Sequence, residues 1–155
     1  MQKRALIYHT DLSKDATPDD KDVLKEAGFV SEGMRNLGYE VRQEPFRFNA
    51  ENYGGSIDLV RRELTEINPL FVFNLVEAVD GTDSLQYIAP DVFEELKIPY
   101  TGCTLDAFLK TQMKTDAKEL MRKRKIPTPD YVTLRRLNSV KFNGRRFKKL
   151  LDDCI

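Results

Sequence analysis

Two lysines, a glutamate and a histidine are the residues whose types and spacing could do chemistry in this chain. Lys114 and Lys118 are four residues apart, so a helix would place them on one face, one turn from each other. A lysine ammonium is a compact cation on a flexible stem, suited to neutralising phosphate, although solvated helix lysines have the same spacing. Glu77 follows the most apolar run, Leu70-Phe71-Val72-Phe73-Asn74-Leu75. A carboxylate at the C-terminal end of a parallel strand stands in the crevice where open α/β sheets bind ligands. There it could pair with a substrate ammonium; an exposed loop glutamate is the competing reading. His9 closes the first apolar run, where it could carry a proton or be structural. Asp19, Asp20 and Asp22 precede a helical pattern, and a carboxylate there can cap the helix by accepting unpaired backbone N–H groups.

Other chemistries are poorly represented. One His and no Cys/His cluster argue against a zinc site. Cys103 and Cys154 are far apart and fit free thiols in a reducing cytoplasm. There is no Gly-x-Ser-x-Gly elbow, Walker A loop or Gly-x-Gly-x-x-Gly fingerprint, and no pair of acids has a spacing that marks a catalytic couple. No apolar run approaches the roughly 18 residues needed to cross a membrane. The start of the chain reads as a first strand rather than a signal peptide. The 155 residues, 41% hydrophobic and 32% charged, suit one globular domain and the start of a second.

The elements that must position these residues follow from periodicity. Arg4–His9 is an apolar run consistent with a buried parallel strand. Val23, Ala27, Val30, Met34 and Leu37 form one helical face, stopped at Gly38. Tyr39–Arg42 alternates as a second strand, followed by a loop holding Pro45, Gly54 and Gly55. Ile57, Val60, Leu64 and Ile67 mark a second helix ending before Pro69. After the Leu70–Leu75 strand and the Asp80–Asp83 turn, Leu85, Ile88, Ala89, Val92, Phe93 and Leu96 form a third helical face. Asp83 and Gln86 are spaced as a capping box, and Pro90 predicts a kink or restart. Ile98-Pro99-Tyr100 reads as a short fourth strand. The alternation predicts an α/β fold, a parallel sheet with helices on both faces. Met113, Ala117, Leu120 and Met121 define a further helix, Ile126–Pro129 a stiff connector, Asp130–Leu134 a strand and Asn143-Gly144 a turn.

Charge changes sign along the chain. Residues 1–109 hold 11 Lys and Arg against 20 Asp and Glu, a net of −9; residues 110–149 hold 14 against 3, a net of +11. The basic part could face phosphate, nucleic acid or an acidic neighbour, or be ordinary solvated surface.

Four stretches, in order, carry a family resemblance: Phe73-Asn74-Leu75, Asp80-Gly81-Thr82 with Gln86, Ile98-Pro99-Tyr100-Thr101-Gly102, and Ile126-Pro127-Thr128-Pro129-Asp130-Tyr131-Val132. Together, over about residues 70–132, they resemble the D-alanine–D-alanine ligase branch of the ATP-grasp ligases. The resemblance implies a Rossmann-like pre-ATP-grasp domain over 1–104 and the beginning of an ATP-grasp domain over 105–155. It implies an ATP- and Mg2+-dependent carboxylate–amine ligase, in which a carboxylate is activated as an acyl phosphate that an amine attacks. Lys114 aligns with the lysine that contacts ATP phosphates, with Lys118 one turn on; Met113 stands where the family usually has an acid. Glu77 stands where the D-alanine ligases usually carry a histidine near the substrate, which leaves the amino-acid-like substrate open. Asp20 or Asp22 is placed to replace the family's first-loop glutamate. Asp153-Cys154-Ile155 resembles the start of the strand leading into Val-Lys-Pro, so the ATP-binding region is expected to continue past Ile155 and this chain alone to be inactive.

Two other functions remain open on the residues. One is an interaction module that pairs as a homodimer through apolar surface. The other is nucleic-acid binding through the basic third around Met121-Arg122-Lys123-Arg124-Lys125, where the sparse aromatics do not interleave as a stacking platform.

Overall fold

The computed structural model describes residues 3–133. The chain divides into two compact units, Met1–Leu105 and Asp106–Ile155.

The first unit is built on β1 (Arg4–Thr10), α1 (Asp22–Asn36), β2 (Glu40–Phe46), α2 (Tyr53–Ile67), β3 (Phe71–Leu75) and α3 (Ile88–Glu95), with short 3-10 turns at Ala50–Asn52 and Asp83–Leu85. The strands form a parallel sheet in the order β2-β1-β3. Leu6 faces Arg42 on one side and Val72 on the other. β1 is therefore central, and Ala5 through Tyr8 are fully buried. Successive side chains point to opposite faces. Leu6, Tyr8 and Val72 join Phe46, Val60, Leu64, Val92 and Phe93 in the core beneath α2 and α3. Ala5, Ile7 and His9 point the other way, toward the face that α1 covers with Val23, Ala27 and Met34. The expected α/β alternation and parallel pairing are thus present, with helices on both faces.

Tyr8 is the hub of the larger core. Its ring meets Phe46 edge-on at 5.4 Å and stacks on Phe93 at 6.0 Å. Its hydroxyl donates to Glu63 Oε2 at 2.9 Å, so the polar tip of a buried residue is matched from α2.

Several boundaries differ from the sequence expectation, each for a physical reason. β2 runs through Pro45 to Phe46, because an edge strand has no partner for the N–H that proline lacks. Gly54 and Gly55 lie in the first turn of α2, not in a loop. The buried face of α1 is Val23, Ala27, Ser31 and Met34; Val30 is half-buried, and Leu37, beyond the last turn, is 74% exposed. Ser31 is matched by donating to Gln43 Oε1 at 3.2 Å. α1 ends in a Schellman motif: the Gly38 and Tyr39 amides donate to the Arg35 and Met34 carbonyls, with Gly38 at φ +83°. The same closure ends α3 with Lys97 at φ +57°. The fourth strand is reduced to one parallel bridge between Val72 and Tyr100. No Asp83–Gln86 capping box forms; Thr82 Oγ1 accepts from the Ser84 amide instead, and the helix restarts at Ile88 with Pro90 in its first turn.

In the second unit, α4 (Leu105–Thr111) and α5 (Lys114–Lys123) are helical. The expected Asp130–Leu134 strand is absent through Thr133, and Leu134 lies outside the described residues, as do Asn143-Gly144 and Cys154. The Tyr131 ring lies on α5, within 5.6 Å of Lys118 Nζ and 4.8 Å of the Arg122 guanidinium carbon, and its hydroxyl donates to Glu119.

Burial, and then the neighbouring Glu63 carboxylate, push the Tyr8 hydroxyl well above its ordinary value. Above about pH 10 the unfolded chain loses this proton and the folded chain keeps it. The stabilisation is therefore complete below about pH 10 and declines as pH rises further, by up to about 1.4 kcal/mol per pH unit. Tyr8→Phe is expected to remove that part of the alkaline slope and to cost about 1.5–3 kcal/mol at neutral pH for the lost charge-assisted bond. Urea unfolding of both proteins from pH 7 to 11 measures both effects.

Candidate functional site

The strand order itself selects the place to look. From β1 the chain crosses to β2 through α1; from β2 it returns past β1 to β3 through α2. Right-handed crossovers put α1 and α2 on opposite faces when the direction reverses. The loops leaving β1 and β3 therefore diverge, which opens a crevice at their carboxyl ends, the switch point where such sheets bind ligands.

The loop after β3 is held at this crevice by three side chains. Thr10 Oγ1, at the tip of β1, accepts from the Glu77 amide at 2.9 Å and the Ala78 amide at 3.3 Å. Asn74 Oδ1 accepts from the Val76 amide at 3.2 Å, while the Asn74 amide donates to Thr101 Oγ1 at 3.0 Å. Asp80, at φ +50°, accepts from the Ala50 amide at 2.9 Å and so ties the loop to the start of α2. A hydroxyl has two acceptor lone pairs and one proton. Thr10 uses both lone pairs on the loop, so its remaining capacity is to donate.

His9 lies beside Thr10 and is 7% exposed. Its Nδ1 is 2.9 Å from the Thr10 carbonyl oxygen. A carbonyl only accepts, so Nδ1 carries the proton and a neutral ring leaves Nε2 as an acceptor.

The residues singled out from sequence are placed unequally. Glu77 is exposed, and its carboxylate has no partner among the described residues; its backbone is pinned by Thr10. His9 and Glu77 are thus brought to the same edge of the sheet. Asp20 is occupied: its carboxylate accepts from the Thr17 amide at 2.7 Å and hydroxyl at 2.8 Å, and Thr17 Oγ1 accepts from the Asp20 amide. This is a capping box on the turn before α1, with Thr17 rather than an aspartate as the cap. The Thr17 contacts hold the Asp20 carboxyl below its ordinary range. Asp22 pairs with Lys25 at 2.6 Å.

In the second unit, Lys114 opens α5, is exposed, and has no side-chain partner among the described residues. Lys118 is engaged: Nζ donates to the Pro129 carbonyl at 2.8 Å and lies 3.4 Å from Thr128 Oγ1. Of the basic run, Arg122 is held by Glu119 at 3.3 Å and Asp130 at 3.0 Å. Cys103 is a free, exposed thiol.

Sequence reasoning passed over Thr10 and Tyr131. Thr10 had a signal, as a hydroxyl ending a buried run at a switch point; the role of Tyr131 depends on how residues 127–131 return along α5 and had none. No group of three or more His, Cys, Asp or Glu among the described residues could hold a metal ion, and no helix among them is long and apolar enough to cross a membrane.

Thr10→Val is expected to leave the Glu77 and Ala78 amides without their acceptor and to cost about 1–3 kcal/mol, read as a lowered urea midpoint. Thr10→Ser, which keeps the oxygen, restores most of that stability. A Thr10→Val midpoint equal to the parent's would show that solvent satisfies both amides.

Neither protein-family models nor curated protein sequences give a match to this chain.

Proposed function

We propose that this chain is the N-terminal part of an ATP-dependent carboxylate–amine ligase of the D-alanine–D-alanine ligase type. Residues 1–104 are the Rossmann-like pre-ATP-grasp domain in this reading, and 105–155 begin the ATP-grasp domain. The observation that carries it is the chemistry of the switch-point edge. Glu77 offers a free carboxylate to an ammonium, and Thr10 offers a hydroxyl proton to a carboxylate. That complement suits a small zwitterion such as an amino acid. The ordered motifs from Phe73 to Val132 support the same reading.

Within it, the residues divide their work. Glu77 binds and orients the substrate amine, and Thr10 holds Glu77 in place through the backbone. Lys114, whose ammonium has no partner among the described residues, would meet the phosphates of ATP. Lys118 positions the Thr128–Asp130 segment rather than reaching for a ligand. Asp20 maintains the capping turn ahead of α1. The described residues supply no cluster fit for magnesium, so no step is derived through that ion. Carboxylate activation by phosphoryl transfer depends on positioned cations and donors, and Lys114 is the residue this reading assigns to it.

Titrating the 15N-labelled chain with D-alanine is expected to shift the Thr10, Glu77 and Ala78 amides, and ATP to shift those of Lys114 and Thr115. Phosphate release with ATP, magnesium and D-alanine should stay at background. Unmoved switch-point amides at tens of millimolar amino acid would overturn the proposal.

A second reading, an interaction module, is favoured by uncovered apolar surface. Phe71, Phe73 and Leu75 are half-buried on the α1 side of β3, and Phe29 and Leu37 are each 74% exposed. Light scattering from 10 to 500 μM (roughly the range over which weak dimers form) should report a dimer if this reading holds; a strict monomer removes it.

A further inference from the structure

Three neighbouring chain segments reach the carboxyl edge of the sheet with side chains whose oxygens are committed and whose protons are not. Thr10 ends β1, Asn74 lies one residue before the end of β3, and Thr101 follows Tyr100, whose single bridge extends the sheet beyond β3. Thr10 Oγ1 accepts from the Glu77 and Ala78 amides, Asn74 Oδ1 from the Val76 amide at 3.2 Å, and Thr101 Oγ1 from the Asn74 amide at 3.0 Å. A backbone N–H only donates, so the Asn74 side chain turns its oxygen to Val76 and its Nδ2 hydrogens elsewhere. Those hydrogens and the hydroxyl protons of Thr10 and Thr101 have no acceptor among the described residues. Asn74 is in register with Tyr8, and Thr10 is two residues further along β1, so Asn74 and Thr10 share a face of the sheet. They hold successive amides, Val76 and then Glu77 and Ala78, which places both at the root of one loop.

We infer that Asn74 Nδ2 and the Thr10 and Thr101 hydroxyls form a row of neutral donors that binds the carboxylate of the small molecule at the carboxyl end of the sheet. The inference rests on the amino-acid reading of this edge and deepens it, by adding Asn74 and Thr101 to the single donor of Thr10. A carboxylate accepts through two oxygens with about four lone-pair sites, more than one hydroxyl can match. Neighbouring strands lie about 4.8 Å apart, so donors on adjacent tips can converge on one group. The donors carry no charge and do not compete with a ligand ammonium for Glu77, whose backbone is held by the same Thr10. Asn74 is thus a binding residue through its nitrogen, while its oxygen keeps the structural task of holding Val76. A site built on such donors favours ligands with a carboxylate over isosteres that lack one.

Titration of the 15N-labelled full chain tests this directly. D-alanine should move the Asn74 side-chain Nδ2 resonance together with the Glu77 and Ala78 amides. D-alaninol, which has a hydroxymethyl group in place of the carboxylate, should leave Nδ2 in place. D-alanine that moves the two amides but not Nδ2 overturns the inference and leaves the amino-acid reading standing, as does D-alaninol that moves Nδ2 as far as D-alanine. If neither the amides nor Nδ2 respond, the amino-acid reading and this inference fall together. Asn74→Asp separates the two tasks of the side chain, because it keeps an oxygen for the Val76 amide and replaces the donor by an anionic acceptor. It should fold with a urea midpoint close to the parent's and bind D-alanine about tenfold or more weakly. The parent's affinity in the folded variant overturns the inference. Should Asn74→Asp fail to fold, the titration of the parent decides alone.

Discussion

A strand with parallel partners on both sides must bury both of its faces, and that constraint on β1 organises the first unit. Ala5 through Tyr8 are fully buried because α1 covers one side and α2 with α3 the other. Burial of both faces requires a change of crossover direction next to β1, and that change separates the loops at its carboxyl end. The crevice is thus a consequence of covering the central strand. Polar residues appear where β1 reaches this edge: Tyr8 finds Glu63, His9 its neighbour's carbonyl, and Thr10 the loop after β3.

The cover is uneven, and the unevenness separates stability from recognition. The α2–α3 side is closed by stacked and edge-on rings around Tyr8, and no buried side-chain nitrogen or oxygen among the described residues is left unmatched. On the other side α1 lies over β1 and β2, and the β3 residues Phe71, Phe73 and Leu75 stay half-buried. A site needs a rigid support and an open edge. The tightly packed face supplies the support, and the carboxyl edge supplies the opening through side-chain bonds that each contribute little alone.

The motif residues have structural work that explains their types. Asp80 and Gly81 take positive φ in the turn, Asp80 ties that turn to Ala50, and Thr82 caps the following 3-10 turn. Thr101 receives the Asn74 amide where a longer fourth strand would have paired it. In the second unit, Ile126 closes the end of α5 through its amide, and Tyr131 is held on that helix by Lys118 and Arg122. The same geometry separates the two lysines that spacing alone made equivalent: the returning segment occupies Lys118, whereas Lys114 has no side-chain partner among the described residues.

The sequence by itself determined the periodic elements. Apolar runs and three- and four-residue spacings reflect burial, which a single segment records in its own side chains, so β1, β3, the faces of α2 and α3 and the stop at Gly38 were legible. Long-range hydrogen bonds leave no such record. That β2 carries Pro45 was decided by its edge position, and that Ile98–Tyr100 pairs at one bridge by the bend of the chain at Thr101-Gly102. Glu77 could be placed at a strand end from sequence. Its partner Thr10, 67 residues away, could not, because the tertiary structure alone brings a hydroxyl and two amides from distant strand tips within bonding distance.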